Sequence, residues 1–195
     1  MYSCAFLLKL RSSMPLQILY QGDSLRAIQR ALFVSTRHLV KPETVIVGIR
    51  TGGDVLAERF AHFLAAEHQL NLPVGYVDIS LYRDDFAHRS HWPHVQGSSV
   101  PVPIEGRPVL LMDEVLFTGR TVRAAIEAIN DMGRAASIRL AVLFDRGDRE
   151  LPIQPDACGA VVPLPRQASL LVEFGADPAH DRAISVQPDS PTVAV

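Results

Sequence analysis

Residues 109–121, Val-Leu-Leu-Met-Asp-Glu-Val-Leu-Phe-Thr-Gly-Arg-Thr, constrain this chain more than any other stretch. An apolar run from Val109 to Met112 stops at two adjacent acids, Asp113 and Glu114. A turn built on Thr118, Gly119, Arg120 and Thr121 follows, and then a helical pattern begins. The run has the length of a strand buried on both faces. Carboxylates at the carboxyl end of such a strand stand where open α/β sheets bind ligands. The Thr-Gly-x-Thr turn places backbone N–H groups and hydroxyls at a helix N-terminus, an arrangement that favours phosphate. Acids for sugar hydroxyls beside donors for a phosphate imply a ribose 5-phosphate site.

The rest of the chain alternates strand and helix signals. Asp23 or Ser24 caps a helix with Leu25, Ile28, Leu32 and Leu39 on one face. Thr44 to Ile49 reads as a β-branched strand, and a second helix carries Val55, Leu56, Phe60, Phe63 and Leu64. Val74 to Leu81 reads as a strand, and 82–104, polar with three histidines, as a long loop or hairpin of the kind used as a lid. The 109–113 strand is followed by a helix from about Thr121 to Gly133, a strand over Ser137–Phe144 and a last short strand over Ser169–Phe174. Residues 176–195 read as a frayed, proline-containing tail. This order predicts an α/β fold with a mostly parallel sheet covered by helices, in a single domain over 14–175. In residues 1–13 the basic Lys9 and Arg11 follow the apolar cluster, the wrong order for a secretory signal. The segment is read as an extension, with Met14 the expected start.

Composition narrows the partners. The 195 residues, 48% hydrophobic, suffice for one sizeable core. A net charge of −2, from 19 basic and 21 acidic residues, gives no global field toward nucleic acid or anionic membrane, so any RNA surface must be a local patch. Two cysteines, Cys4 and Cys158, make no disulfide framework, and a cytoplasmic, reducing compartment is expected. No run approaches the length of a membrane span.

Three further strand-end loops carry candidate chemistry. Arg50-Thr51-Gly52-Gly53 brings backbone close to an anion, although Gly-rich strand-to-helix turns are common in any case. Arg83, at the mouth of the long loop, suits closing over pyrophosphate, and the charged cluster around it equally suits a solvated loop start. Asp145-Arg146-Gly147-Asp148-Arg149-Glu150 reads most simply as a surface turn with weak ion pairs. His88, His91 and His94 recur every third residue without a cysteine partner, and no direct protein metal site is assigned to them. Phe86 and Trp92 are read as loop packing, and Cys158 as a small neutral residue. Neither a dinucleotide fingerprint nor a Walker A loop is present.

These blocks together resemble the type I phosphoribosyltransferases. Val47–Thr51, Asp78–Asp85, Val115–Ala124 and Ala141–Gly147, in order and with matching spacing, resemble more specifically the bacterial pyrimidine-operon attenuation regulators that also act as uracil phosphoribosyltransferases. The resemblance runs from about Ala27 to Phe174. It implies the type I fold, with a small hood and a flexible loop or hairpin. It also implies a glycosyltransferase of pyrimidine salvage, in which uracil displaces pyrophosphate from phosphoribosyl diphosphate to give UMP, with substrate-bound Mg2+. The ribose hydroxyls and the developing cation would fall to Asp113 and Glu114. The 5-phosphate would go to Thr118, Gly119, Arg120 and Thr121, and the pyrophosphate to Arg50, Thr51 and Gly52, with Arg83 closing over it. The base hood would comprise Asp145, Arg146, Gly147, Val162 and Pro163. Relatives form dimers or larger assemblies, so a homo-oligomer is expected. A UMP-sensing, RNA-binding attenuator and a transferase for another base stand as alternatives.

The chain departs from that pattern at four places. Glu114 stands where the family has a second aspartate, and Gly52 where it commonly has a basic residue. Asp148 replaces a histidine beside Arg149, and the first helix offers Phe33 and Val34 where relatives present polar and basic groups to RNA. Affinity for nucleic acid rests largely on neutralised phosphates, so these changes predict lost or altered RNA recognition.

Overall fold

Strand β2 (Val45–Ile49) is buried at all five residues, which is how a strand inside a covered parallel sheet reads. The computed structural model that contains it describes residues 16–82 and 97–187. The N-terminal extension, Arg83 and the three loop histidines lie outside those residues. The described chain divides into two units. The larger spans Ala27–Val162; residues up to Arg26 and from Pro163 onward belong to the smaller, in place of the single domain expected over 14–175.

In the larger unit, β2 is followed by helix α2 (Gly53–His68), β3 (Val74–Val77), β4 (Pro108–Leu116), helix α3 (Arg120–Met132), β5 (Ser137–Asp145) and β6 (Ala157–Val161). Helix α1 (Asp23–Thr36) precedes them. The sheet order is β3-β2-β4-β5-β6, and every pairing is parallel. Both helices present small or apolar residues at helical spacing. Leu56, Ala57, Phe60 and Leu64 of α2 and Val122, Ala125, Ala128 and Ile129 of α3 are buried. The α3 residues form one core cluster with Val45, Val47, Ile49, Val109, Leu111, Leu140 and Val142 of β2, β4 and β5. Helix α3 ends at Gly133, as its position predicts, with φ at 144°. No helix of the described residues is long and apolar enough to cross a membrane.

Two boundaries differ from expectation. β3 ends at Val77 rather than Leu81, because the Asp78 carboxylate accepts the Ser80 N–H at 2.9 Å and turns the chain. β4 runs through the acids to Leu116 rather than stopping before them, because its ladder with β5 continues at Asp113↔Val142, Val115↔Phe144 and Leu116↔Asp145.

The smaller unit is an antiparallel sheet of β1 (Leu16–Gln21), β8 (Arg182–Val186) and β7 (Ser169–Glu173), in that order. Its central strand corrects the expectation of a frayed tail over 176–195. Arg182–Val186 pairs on both sides, and Ala183, Ile184, Ser185 and Val186 are buried. Asp181 leads into it, wholly buried, with its carboxylate accepting the Gly175 N–H at 2.9 Å. Both edge partners of β8 are supplied by this unit, so the segment satisfies its backbone groups as sheet.

Candidate active site

The chain order of the sheet reverses between β2 and β4, the switch point at which doubly wound sheets bind ligands beyond the strand ends. β2 and β4 are paired from Val45↔Val109 to Gly48↔Met112. β4 stays paired with β5 as far as Leu116↔Asp145. The sheet therefore forks after Met112, and Asp113 and Glu114 are the first residues in the fork.

Two glycines bring the opposite wall close. A Cβ on Gly48 would lie 2.4 Å from the Asp54 Cα and the Gly53 carbonyl oxygen, and one on Gly53 would lie 2.4 Å from the Met112 carbonyl oxygen. Only hydrogen fits at either place, so the start of α2 rests directly on the backbone of β2 and β4. The loop between is held from inside. Asp54 Oδ1 accepts the N–H groups of Gly52 and Val55, both at 2.9 Å. The Arg50 guanidinium stands 3.6 Å over the Tyr76 ring, with its Nε 3.8 Å from Asp54. The Arg50–Thr51 peptide is cis. Above Gly52, whose φ is 118°, sits the Glu114 carboxyl: a Cβ at position 52 would meet its Cδ and Oε2 at 2.6 Å.

The acids themselves are unlike surface carboxylates. Asp113 is 4% exposed, and its Oδ1 accepts the Glu114 N–H at 3.0 Å. Burial pushes its carboxyl up to about 6, opposed by hydrogen bonding to Glu114 and assisted by repulsion from Asp54. Burial, followed by repulsion from Asp113, raises Glu114 well above the usual carboxylate range. Without a cation or a ligand, the pair resists carrying two charges at once.

Beyond β4 the chain turns at Gly119, φ 91°, into α3, which begins with no side-chain cap and no acid in its first turn. The Arg120 N–H is directed to the Thr118 hydroxyl at 3.4 Å, and the positive dipole end of the helix favours an anion here. The turn is braced by the 150–153 segment. Thr118 O accepts the N–H groups of Glu150 at 3.0 Å and Leu151 at 3.1 Å, and Arg120 Nε donates to Glu150 at 2.7 Å.

At the end of β5, Asp145 O accepts the Val162 N–H at 2.8 Å, and Asp145 Oδ1 accepts that of Gly147 at 2.8 Å. Arg146 donates its N–H to Leu116 O and lays its guanidinium 3.9 Å over the Phe117 ring. Pro163 belongs to the smaller unit. Sequence reasoning missed Arg149. The i, i+4 pair Asp145–Arg149 reads as a solvated contact, yet Arg149 is 13% exposed and donates to Asp145 Oδ2 at 2.7 Å, Phe117 O at 2.9 Å, Gly147 O at 3.1 Å and Ile153 O at 2.9 Å. It ties the 145–153 loop to the turn that leads into α3. Cys158 is in β6, where burial pushes its thiol up and disfavours the thiolate a nucleophile needs.

A parallel sheet that forks at a switch point, with an acid pair in the fork and a helix start beside it, is an arrangement suited to a sugar phosphate. Residues 16–167 match the phosphoribosyl transferase domain family, and the chain belongs to that family. Within it the chain belongs to the PyrR group. It is 51% identical over 134 residues to the bifunctional protein PyrR of Geobacter sp. (strain M21), covering 68% of this chain and 75% of that one. It is 46% identical over 159 residues to the PyrR of Chloroflexus aurantiacus, covering 81% and 87%. Among solved structures it resembles the hypoxanthine phosphoribosyltransferase of Trypanosoma cruzi, with a TM-score of 0.60 at 16% identity over 89% of this chain and 97% of that one. It also resembles the HGPRT-ase of Leishmania tarentolae, with a TM-score of 0.59 at 14% identity and the same coverage. These two likenesses concern fold alone. The fold is the type I phosphoribosyltransferase fold, and the separate antiparallel sheet fits its hood.

Proposed function

We propose that this chain transfers ribose 5-phosphate from phosphoribosyl diphosphate to uracil, releasing UMP and pyrophosphate. The bond from the anomeric carbon to pyrophosphate breaks, uracil N1 bonds to that carbon, and the N1 proton is released. The observation that carries this reading is the fork after Met112, which sets the Asp113–Glu114 pair between the Arg50–Gly52 loop and the uncapped start of α3. In this reading the amides and hydroxyls of Thr118–Thr121 take the 5-phosphate, with each charge-assisted bond worth roughly 1.5–3 kcal/mol. Asp113, with Glu114 beside it, faces the ribose and opposes the positive charge that develops at the anomeric carbon. Arg50, Thr51 and Gly52 border the pyrophosphate. Asp145, Arg146, Gly147 and Val162 shape the base end. Alignment and charge supply the catalysis, and no protein nucleophile is required.

Mg2+ fits these residues as a partner of the substrate. Mg2+ keeps much of its water and takes one or two carboxylates plus substrate oxygens. Asp113 and Glu114 offer such donors, and the buried Glu114 Oε2 accepts no hydrogen bond from any described residue. Among the described residues no group of three or more His, Cys, Asp or Glu could hold an ion without substrate. Bound with phosphoribosyl diphosphate, the cation would neutralise charge on the leaving group.

Uracil-dependent release of pyrophosphate from phosphoribosyl diphosphate tests the reading. Activity with hypoxanthine or guanine and none with uracil would overturn it.

The name of the relatives, bifunctional protein PyrR, also brings gene regulation into view. We infer that RNA recognition is weakened here relative to catalysis. Arg149 directs its guanidinium inward to four acceptors, and Asp148 adds an acid beside it. UMP-dependent, salt-sensitive binding to the leader RNA of the host pyrimidine operon is the check, and tight binding at physiological salt would reverse the inference.

A further inference from the structure

The two acids of the fork have different surroundings. Asp113 is covered by the sheet and bonded to the backbone of its neighbour. The Glu114 carboxyl, hydrogen-bonded to that of Asp113, also lies over Gly52 of the loop proposed to border pyrophosphate. All three atoms nearest a Cβ at position 52 are its carboxyl atoms, Cδ and Oε2 at 2.6 Å and Oε1 at 2.9 Å. The Oε2 is buried and accepts no hydrogen bond from any described residue. A shorter aspartate would withdraw the carboxyl by one methylene and leave that volume empty.

Position 52 answers to this in its backbone. Gly52 holds φ at 118°, a conformation L side chains rarely adopt, and donates its N–H to Asp54 at 2.9 Å. Its neighbour Gly53 is packed directly on β4, with a notional Cβ 2.4 Å from the Met112 carbonyl oxygen, so the loop sits as close to that strand as a glycine permits. The carboxyl and the missing side chain are two halves of one packing solution.

We propose that Glu114 is a positioning residue for the pyrophosphate end and that its carboxyl fills the place of the side chain position 52 lacks. This deepens the phosphoribosyltransferase reading and rests on it. The pyrophosphate loop is then shaped from β4 rather than by its own side chain, and positions 52 and 114 must vary together.

Pyrophosphate and UMP separate the two roles, since pyrophosphate has no ribose and UMP has no pyrophosphate. Their affinities are measured by calorimetry with Mg2+ for the parent protein, G52A, E114A, E114D and the G52A/E114A double variant, with thermal unfolding of each alongside. In E114A and E114D, pyrophosphate affinity falls by about tenfold, and by several-fold more than UMP affinity does. G52A unfolds at a lower temperature than the parent, and E114A offsets part of that loss because the carboxyl it would strike is gone, a non-additive pair. UMP affinity falling as much as pyrophosphate affinity in E114D would leave Glu114 with no particular tie to the pyrophosphate end and overturn the proposal. Unchanged pyrophosphate affinity, or strict additivity of the two stability losses, would overturn it too. If E114A does not fold, E114D, which keeps an acid, decides the affinities, and G52A/E114D against its single variants decides additivity. Failure of the parent to bind either ligand would instead sink the phosphoribosyltransferase reading itself.

Discussion

The Arg149 guanidinium donates to the Phe117 carbonyl across 2.9 Å, joining the loop after β5 to the turn that opens α3. The same side chain is paired with Asp145 at 2.7 Å, with both partners largely buried. One residue thus sets the spacing between the proposed base end and the phosphate turn.

Replacing Arg149 with Ala leaves Asp145 poorly compensated and three carbonyls without their donor. The expected loss of stability is about 2–4 kcal/mol, the range for breaking a partly buried charge pair, with lysine recovering little because it lacks the planar fork. Urea unfolding of the two variants checks it. UMP affinity should fall in parallel.

Asp113→Asn keeps shape and removes charge. Turnover should drop by about 100-fold or more, as when one preorganised electrostatic group is lost. The variant should nevertheless melt at a higher temperature than the parent at neutral pH, because the parent must ionise a buried carboxyl. Activity and unfolding measured on the same preparation would show the opposed signs.

The pH dependence of stability follows the same group. Its folded pKa is raised from 3.8 to about 6, so the folded state binds the proton more tightly than the unfolded chain. The associated stability is fully present below the unfolded pKa and is lost as pH rises through about 6. Glu114, raised further from its ordinary range, extends the loss upward. Ligand-free protein should therefore lose stability across this window, and Asp113→Asn should flatten the profile; melting temperatures from pH 4 to 8 measure both.

Glycine replacements should divide sharply. Gly48→Ala puts a methyl 2.4 Å from the backbone of Asp54 and Gly53, neither of which is a flexible side-chain tip. Gly106, with φ at 70°, has nothing within 4 Å of a notional Cβ. Alanine at 106 should cost about 1–2 kcal/mol for the left-handed backbone alone. At 48 it should cost more than about 3 kcal/mol, or abolish soluble expression, because overpacking falls on rigid backbone. Expression yield and chemical denaturation of the two variants distinguish them.

Much of the α/β order and of the phosphate turn was legible in the chain because the signals are local. The run at 109–112, the acids and Thr118–Thr121 stand within thirteen consecutive residues. The fork was not legible, since it depends on where β2 stops pairing with β4, and register between distant strands leaves no mark in either segment alone. β8 was misread as tail for the same reason. Its partner Leu16 is paired with Val186 across nearly the whole chain, and Arg-Ala-Ile-Ser-Val looks polar until both neighbours are in place. Arg149 was hidden by an ordinary i, i+4 charge pattern that carries no sign of burial. Gly52 and Glu114 were each visible as departures, but their contact joins a loop to a strand more than sixty residues away in the chain.

The fork after Met112 also makes the site mechanically one-sided. Asp113 hangs from β5 through a continuing ladder and is released from β2. A displacement of β5 is carried to the acid by hydrogen bonds, whereas a displacement of the loop after β2 reaches it through the close packing of Gly53 on the Met112 and Asp113 backbone. The acid is thereby tethered on one side and only abutted on the other.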